Sequence, residues 1–437
     1  MNDYANTIKA KMDTIIAEMS ESVELFVKTP GKDFTRNRKI PFDTFVHYLI
    51  SMGGNSVYKE LLEANGYDLH TATTSAFVQQ RDKVLPFAFE FLLHEFTSSF
   101  TAVKKHRDYR LLAVDGSDLH IATNPNDPDT YFENHPGEKG YNLLHLNAFY
   151  NLCNRFYLDL LIQPRRDFNE GRALIDMVGR SRIKDKTIII ADRGYESYNV
   201  FAHIESKGWN YVIRVKDLGS NGILSGLTLP AEGEFDVTVH RRLTRKQTKE
   251  VRENPEIYKF MPANQVFDFL KPKEKGFYTI SFRIVRILIA DGSYETIITN
   301  LSVDDFPSLE LKELYALRWG IETAFRVLKH TIGLTRFHAK KQEYISQEIF
   351  ARVILYNFTE MITSHVVISH ADTKLSYQVN FTVAVLVCSH FLRSWFNIPP
   401  PDVEALIRKN TLPIRPGRKY IRKIRSKSTV SFVYRVA

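Results

Sequence analysis

Apolar residues recur at helical spacing through the first hundred positions. Ile8, Met12, Ile15, Ile16 and Met19 share one helix face, and Phe42, Phe45, Val46, Leu49 and Ile50 share another. Gly53-Gly54-Asn55-Ser56 stops that second helix and caps a third, Val57 to Ala64, which Asn65-Gly66 ends. Thr73, Thr74 and Ser75 offer N-caps for a helix from Ala76 to Val84, with Gln79, Gln80, Arg81 and Lys83 on its exposed side. Residues 1–108 thus form a helical N-terminal unit. A polar last helix suits a helix-turn-helix, where Gln bonds adenine and Arg guanine in the major groove. Those four residues are therefore candidate DNA readers, although a plain helical bundle fits the same pattern.

From Tyr109 the pattern turns to strands. Arg110 to Val114 is a short apolar run closed by Asp115-Gly116-Ser117, and Leu143 to Tyr150 and Arg155 to Gln163 form a hairpin. Glu170 to Ile183 is helical, Thr187 to Ala191 is a buried type of strand ending at Asp192, Tyr198 to Gly208 is helical, and Tyr211 to Val215 is a further strand. This order predicts an α/β fold with a mixed sheet over 109–216. Residues 217–306 read as a β-rich insertion, with strands at Phe235 to Val239 and Tyr278 to Ile289 and a hairpin turn at Asp291-Gly292. A long amphipathic helix, Ser308 to Ile332, and another, Ile345 to Val367, resume the core over 307–367. Residues 368–437 form a helical and basic C-terminal segment.

Charge sharpens the picture. The 437 residues carry a net +9, and from Pro401 to Ala437 ten basic residues oppose only Asp402 and Glu404, so +8 of it sits there. Such a tail suits a polyanion, since Lys and Arg displace counterions from nucleic acid, although it also suits a solvated end. Apolar residues make up 44% and charged residues 25%, as in ordinary globular proteins, and the longest apolar stretch, Phe381 to Cys388, is too short to span a membrane. The charges scattered through Met1 to Ala17 do not resemble a secretion signal. Two cysteines, Cys153 and Cys388, make neither a disulfide framework nor a zinc finger and fit a reducing cytoplasm.

Two acids stand out, Asp115 and Asp192, each at the C-terminal end of an apolar strand with glycine close behind. Paired carboxylates are hard ligands for Mg²⁺ or Mn²⁺, and two such ions can serve phosphoryl transfer. Asp-Gly is also ordinary turn chemistry. On the helix that follows the insertion, Tyr315, Arg318, Glu322 and Lys329 fall within roughly 60° of one another. An acid flanked by cations inside an otherwise apolar stretch (Leu314, Leu317, Trp319, Ile321, Phe325, Leu328) suits a phosphate or metal site better than a salt-bridged solvent face. Asp118 is the rival first acid, but its odd spacing from Asp115 puts it on the other face of an extended strand. His120, His135 and His145 lie nearby without zinc spacing.

The spacing Tyr-x2-Arg-x3-Glu-x6-Lys, met by Tyr315, Arg318, Glu322 and Lys329, resembles the signature of bacterial insertion-sequence transposases of the IS4 type. Asp115-Gly116-Ser117 and Asp192-Arg193-Gly194-Tyr195-Glu196-Ser197 resemble that family's first two catalytic blocks. Thr299-Asn300-Leu301, Ser75-Ala76-Phe77 with Arg81, and Arg415-Pro416-Gly417-Arg418 are similar in kind. The resemblance implies a ribonuclease-H-like core interrupted by a β-rich insertion, with Asp115, Asp192 and Glu322 as a DDE triad holding two Mg²⁺, or Mn²⁺ in their place. It implies that Tyr315, Arg318, Lys329 and Arg193 hold DNA phosphates, and that double-stranded DNA is cut at element ends and joined to a target through a hairpin, by a homodimer on the DNA. An inert DNA-binding regulator and a nuclease without strand transfer are the alternatives. The insertion lacks the Trp that relatives stack on a flipped base; Tyr258, Phe260, Phe267, Phe277 or Tyr278 would have to replace it.

Overall fold

The computed structural model describes residues 2–100, 103–133, 135, 137, 139–273, 275–290, 292–366, 376–393 and 400–414. The helices α1 (Asp3–Glu21), α2 (Phe42–Ser51), α3 (Val57–Ala64), α4 (Thr74–Arg81) and α5 (Phe87–Ser98) come first. α1 buries Ile8, Met12, Ile15, Ile16 and Met19, the stripe its spacing predicts. Thr73 caps α4, its side chain accepting the Ala76 N–H at 3.3 Å.

The sheet then begins with β1 (Arg110–Ile121), β2 (Tyr131–Phe132), β3 (Tyr141–Asn151) and β4 (Phe156–Pro164). It continues through α6 (Glu170–Arg180), β5 (Thr187–Ala191), α7 (Tyr198–Ser206) and β6 (Asn210–Val215). β4-β3-β1-β5-β6 is the core order, antiparallel across the first three strands and parallel from β1 to β6. This is the predicted α/β arrangement, a ribonuclease-H-like sheet. The insertion contributes β7 (Phe235–Thr244), α8 (Lys249–Glu253), β8 (Tyr258–Phe260), β9 (Phe277–Ala290) and β10 (Ser293–Thr299). Its strands extend the core sheet, because β10 pairs antiparallel with β6 and carries β9, β7 and β8 beyond it. At the β9–β10 turn Gly292 takes φ +70°, a value glycine adopts without steric cost; Asp291 lies outside the described residues.

The chain returns through α9 (Ser308–Ala316), α10 (Trp319–His330) and α11 (Gln342–Thr363). The expected single helix from Ser308 is therefore two. At the junction Arg318 N–H bonds Tyr315 O and Gly320 N–H bonds Leu317 O, so the ladder tightens to three-residue steps. α11 is buried nearly all round, polar residues such as Gln347, Glu348 and Arg352 included, and lies between the N-terminal helices and the sheet. One core joins Phe45, Phe77 and Phe89 to Ile321, Phe325, Ile349 and Val353, so residues 1–108 pack as part of the same body. The end comprises β11 (Tyr377–Val379), α12 (Phe381–Leu392), α13 (Val403–Lys409) and β12 (Thr411–Pro413). Most of the basic tail, including Arg415-Pro416-Gly417-Arg418, lies outside the described residues, as does Trp395.

Candidate active site

Strand register brings the two aspartates together. β1 and β5 run parallel with Ala113 opposite Ile190, so two residues further on Asp115 stands beside Asp192. β5 ends at Ala191, and Asp192 caps the turn that follows, its Oδ1 accepting the Gly194 N–H at 2.8 Å. β1, by contrast, does not end at Val114. It continues to Ile121 because β3 keeps pairing with it, Asp115 opposite Ala148 and Ile121 opposite Asn142. Asp115 is thus held in mid-strand, and its Oδ1 accepts the Gly116 N–H at 2.8 Å.

The third acid arrives from α10. Gly320 lets this helix approach the β3–β4 hairpin; a β-carbon there would lie 2.9 Å from Leu152 Cδ2. One turn earlier, the tightened junction buries Arg318, whose side chain is 8% exposed. Its Nη2 meets Glu322 Oε1 at 2.6 Å and its Nη1 faces Asp115 Oδ2 at 3.8 Å. One guanidinium therefore spans the first and third acids. Burial pushes the Asp115 carboxyl up to about 6; the charges of Asp192 and Glu322 push the same way, against the Gly116 N–H and Arg318.

The other members of the helix signature face inward. Lys329 Nζ donates to the backbone oxygen of Asp118 at 2.8 Å, and burial lowers its pKa. Tyr315 is buried among Leu111, Ile188 and Leu314, which raises its pKa, with Arg214 beside its hydroxyl. Arg193, next to Asp192, is exposed and makes no ion pair among the described residues. Asp118 points to the other face from Asp115, as its odd spacing predicts: it bonds His145 Nδ1 at 2.6 Å and meets Arg165 at 2.7 Å.

The four candidate DNA readers divide. Gln79 is exposed and Lys83 half-buried, bonded to Gln80 at 2.8 Å. Gln80 and Arg81 are buried. Arg81 meets Glu348 at 2.9 Å and Gln347 at 3.0 Å, so it fastens α4 to α11 instead of presenting a free guanidinium to a groove. An eight-residue helix with almost no sequence amphipathicity could not show which side would be covered.

The five aromatic candidates of the insertion lie at the end of the sheet away from Asp192. Ala191 aligns with Ile213, Ile213 with Ile298 and Ile298 with Ile284. Phe277 lies seven residues before Ile284, in the direction away from Asp192, or about 24 Å at ~3.4 Å per residue. Tyr278 is its neighbour, Tyr258 and Phe267 pack on that end, and Phe260 pairs with Thr244 opposite Phe277.

Three side chains not singled out for this chemistry stand beside the acids. His145 Nε2 bonds Glu170 Oε1 at 3.1 Å, Glu170 lies against Gly116 and Gly194, and the buried Tyr195 hydroxyl has no hydrogen-bond partner among the described residues. The signal was present only as two glycines following two acids. Elsewhere, Glu90, His94 and Asp159 converge, but the Arg180 guanidinium already fills that cluster, 2.8 Å from Glu90 and 2.6 Å from Asp159.

Among the described residues no helix is long and apolar enough to cross a membrane. Comparison with solved structures finds the piggyBac transposase synaptic complex with hairpin DNA, at 7% identity and a TM-score of 0.46, covering 93% of this chain and 83% of that one. No curated protein matches the chain. The family model for the transposase DDE domain matches residues 106–358, more than half of the sequence and the whole of the acid-bearing core. The chain therefore belongs to the DDE-domain transposases, enzymes that cleave and transesterify DNA.

Proposed function

We propose that Asp115, Asp192 and Glu322 are the triad of an IS4-type transposase that cuts the ends of a DNA element and joins them to a target. The observation that carries this reading is the convergence itself: register sets Asp115 beside Asp192, and Arg318 links Asp115 to Glu322. Asp115 and Asp192 lie on neighbouring strands and Glu322 reaches them through Arg318, with an exposed arginine, Arg193, next to Asp192.

The residues fit a divalent cation. All donors are carboxylate oxygens, and like charges stand close enough to help raise the Asp115 pKa to about 6, a repulsion that a cation relieves. Asp115, Asp192 and Glu322 would hold Mg²⁺, or Mn²⁺ in its place, as two ions. Bound there, such ions acidify an attacking water or hydroxyl and stabilise the leaving oxygen. The chain's own groups do the rest. Arg318 fixes the Glu322 carboxylate and offsets the acids' charge. Arg193 reaches for a phosphate oxygen next to Asp192, while Lys329 and the buried Tyr315 brace the strand and helices around the acids.

The partner in this reading is double-stranded DNA, at element ends and target, and bringing two ends together calls for two copies of the chain. Gln79 on α4 and Lys83 just after it remain candidate contacts. The route is cut-and-paste through a hairpin. Its stacking aromatic would have to come from the end of the sheet near Asp192, where Tyr294 lies against Arg286 at 3.8 Å.

The test is incubation with labelled element ends, Mg²⁺ and a target plasmid. Joined product is expected. Cutting without joining would mark a nuclease, and DNA binding without cutting an inert regulator.

A further inference from the structure

On the sheet face opposite Glu322, a second carboxylate approaches both acid-bearing segments, the middle of β1 and the turn after β5. Glu170 opens α6, just after its cap Asn169, whose side chain accepts the Arg172 N–H at 2.8 Å. A β-carbon on Gly116 would overlap Glu170 Oε1 and His145 Nε2, and one on Gly194 would lie 3.0 Å from Glu170 Oε2. The glycines that follow Asp115 and Asp192 thus open the space this carboxylate occupies.

Glu170 is itself held. His145, on β3 and 5% exposed, places its Nε2 3.1 Å from Glu170 and its Nδ1 2.6 Å from Asp118. With a carboxylate on each nitrogen, the ring satisfies both only by donating from both. Asp118 is anchored in turn by Arg165 at 2.7 Å, and its backbone oxygen receives Lys329. A continuous chain of charges, Arg165, Asp118, His145 and Glu170, therefore ends between Gly116 and Gly194, the glycines behind the two aspartates. The buried, unpartnered Tyr195 hydroxyl lies in the field of Glu170, Asp115 and Asp192 together.

We propose that Glu170, strapped by His145, is a positioning residue of the active site: it sets the spacing between the β1 segment that carries Asp115 and the turn that carries Asp192, and so tunes their affinity for a divalent cation. The inference rests on the triad reading above. Glu170 acts on the ion through these two segments, and His145 acts through Glu170.

The experiment measures Mn²⁺ binding to the full-length chain directly, by the loss of the free-ion electron paramagnetic resonance signal. Strand cleavage as a function of Mg²⁺ is followed in parallel. Glu170→Gln preserves shape and removes the charge. It is expected to raise the Mn²⁺ dissociation constant and the half-saturating Mg²⁺ about tenfold, with the cleavage rate at saturating Mg²⁺ within about threefold of wild type. His145→Gln is expected to match it, and the double variant to be no worse than either alone, since both break one chain. Circular dichroism melting checks that each variant is folded. Unchanged ion affinity in folded Glu170→Gln, or additive losses in the double variant, would overturn the proposal. Asp192→Asn is the control: if it still binds Mn²⁺ and cleaves, the triad reading fails, whereas if it does neither while Glu170→Gln behaves as wild type, only the positioning role fails.

Discussion

Arg81 and Glu348 form an ion pair of 2.9 Å in the interior, with side chains 3% and 1% exposed. Glu348 also accepts the His338 N–H at 3.0 Å, and Arg81 donates to the Tyr344 oxygen at 2.5 Å. These groups join α4 to α11 and hence the N-terminal helices to the catalytic core. Losing one partner strands a buried charge. Despite the burial that opposes it, the Arg81 charge and the His338 bonds lower the Glu348 carboxyl from 4.5 to about 2. Its folded-state pKa is depressed, so its stabilisation is present above about 4.5 and disappears as pH falls through about 2. Glu348→Gln should cost about 3 kcal/mol at pH 7, with the deficit shrinking below pH 4.5. Denaturant unfolding at a series of pH values checks this; a constant deficit would contradict it. Arg81→Met should lower the melting temperature without changing which DNA sequence is preferred.

Arg318 is the only described cation within 4 Å of Asp115. Lysine would keep the charge but lose the fork that reaches Asp115 and Glu322 at once. Arg318→Lys should slow single-turnover cleavage about 100-fold, corresponding to about 2.7 kcal/mol of transition-state stabilisation, with DNA-end affinity nearly unchanged. A loss confined to binding would show instead that Arg318 only holds DNA.

Asp115 is stored at an energetic cost in the metal-free protein. Its folded pKa, about 6, lies above its ordinary 3.8, so the native state binds the extra proton between these values and stability falls as pH rises through them. Asp115→Asn should therefore stabilise the metal-free chain by about 2 kcal/mol at pH 7.5 and by little near pH 4. Added Mg²⁺ should raise the melting temperature of wild type and leave that of Asp115→Asn unmoved. Calorimetry in chelator and in Mg²⁺ reads both.

What the sequence made legible was local. Asp192 ends an apolar strand, and Tyr315, Arg318, Glu322 and Lys329 repeat at helical spacing, so each block revealed itself without the others. Features that depend on distant partners stayed hidden. Arg81 looked like a surface reader because Glu348, 267 positions on, is what buries it. β1 seemed to end at Asp115 because the pairing that carries it to Ile121 belongs to β3. The break at Leu317–Arg318 goes with Arg318 lying between Asp115 and Glu322, the first of them 203 positions away, and the helix continues past it with Gly320 packed against Leu152. The aromatic residues of the insertion looked interchangeable until register placed them at the far end of β9.

If Asp192 belongs to the site that performs the chemistry on DNA, losing its carboxylate separates cleavage from binding. The most direct measurement compares wild type with Asp192→Asn on a labelled element end in Mg²⁺, scoring end binding by gel shift and strand cleavage on a denaturing gel. The expected result is end binding within about twofold of wild type and cleavage reduced at least about 1,000-fold. Cleavage at the wild-type rate by Asp192→Asn would contradict the account.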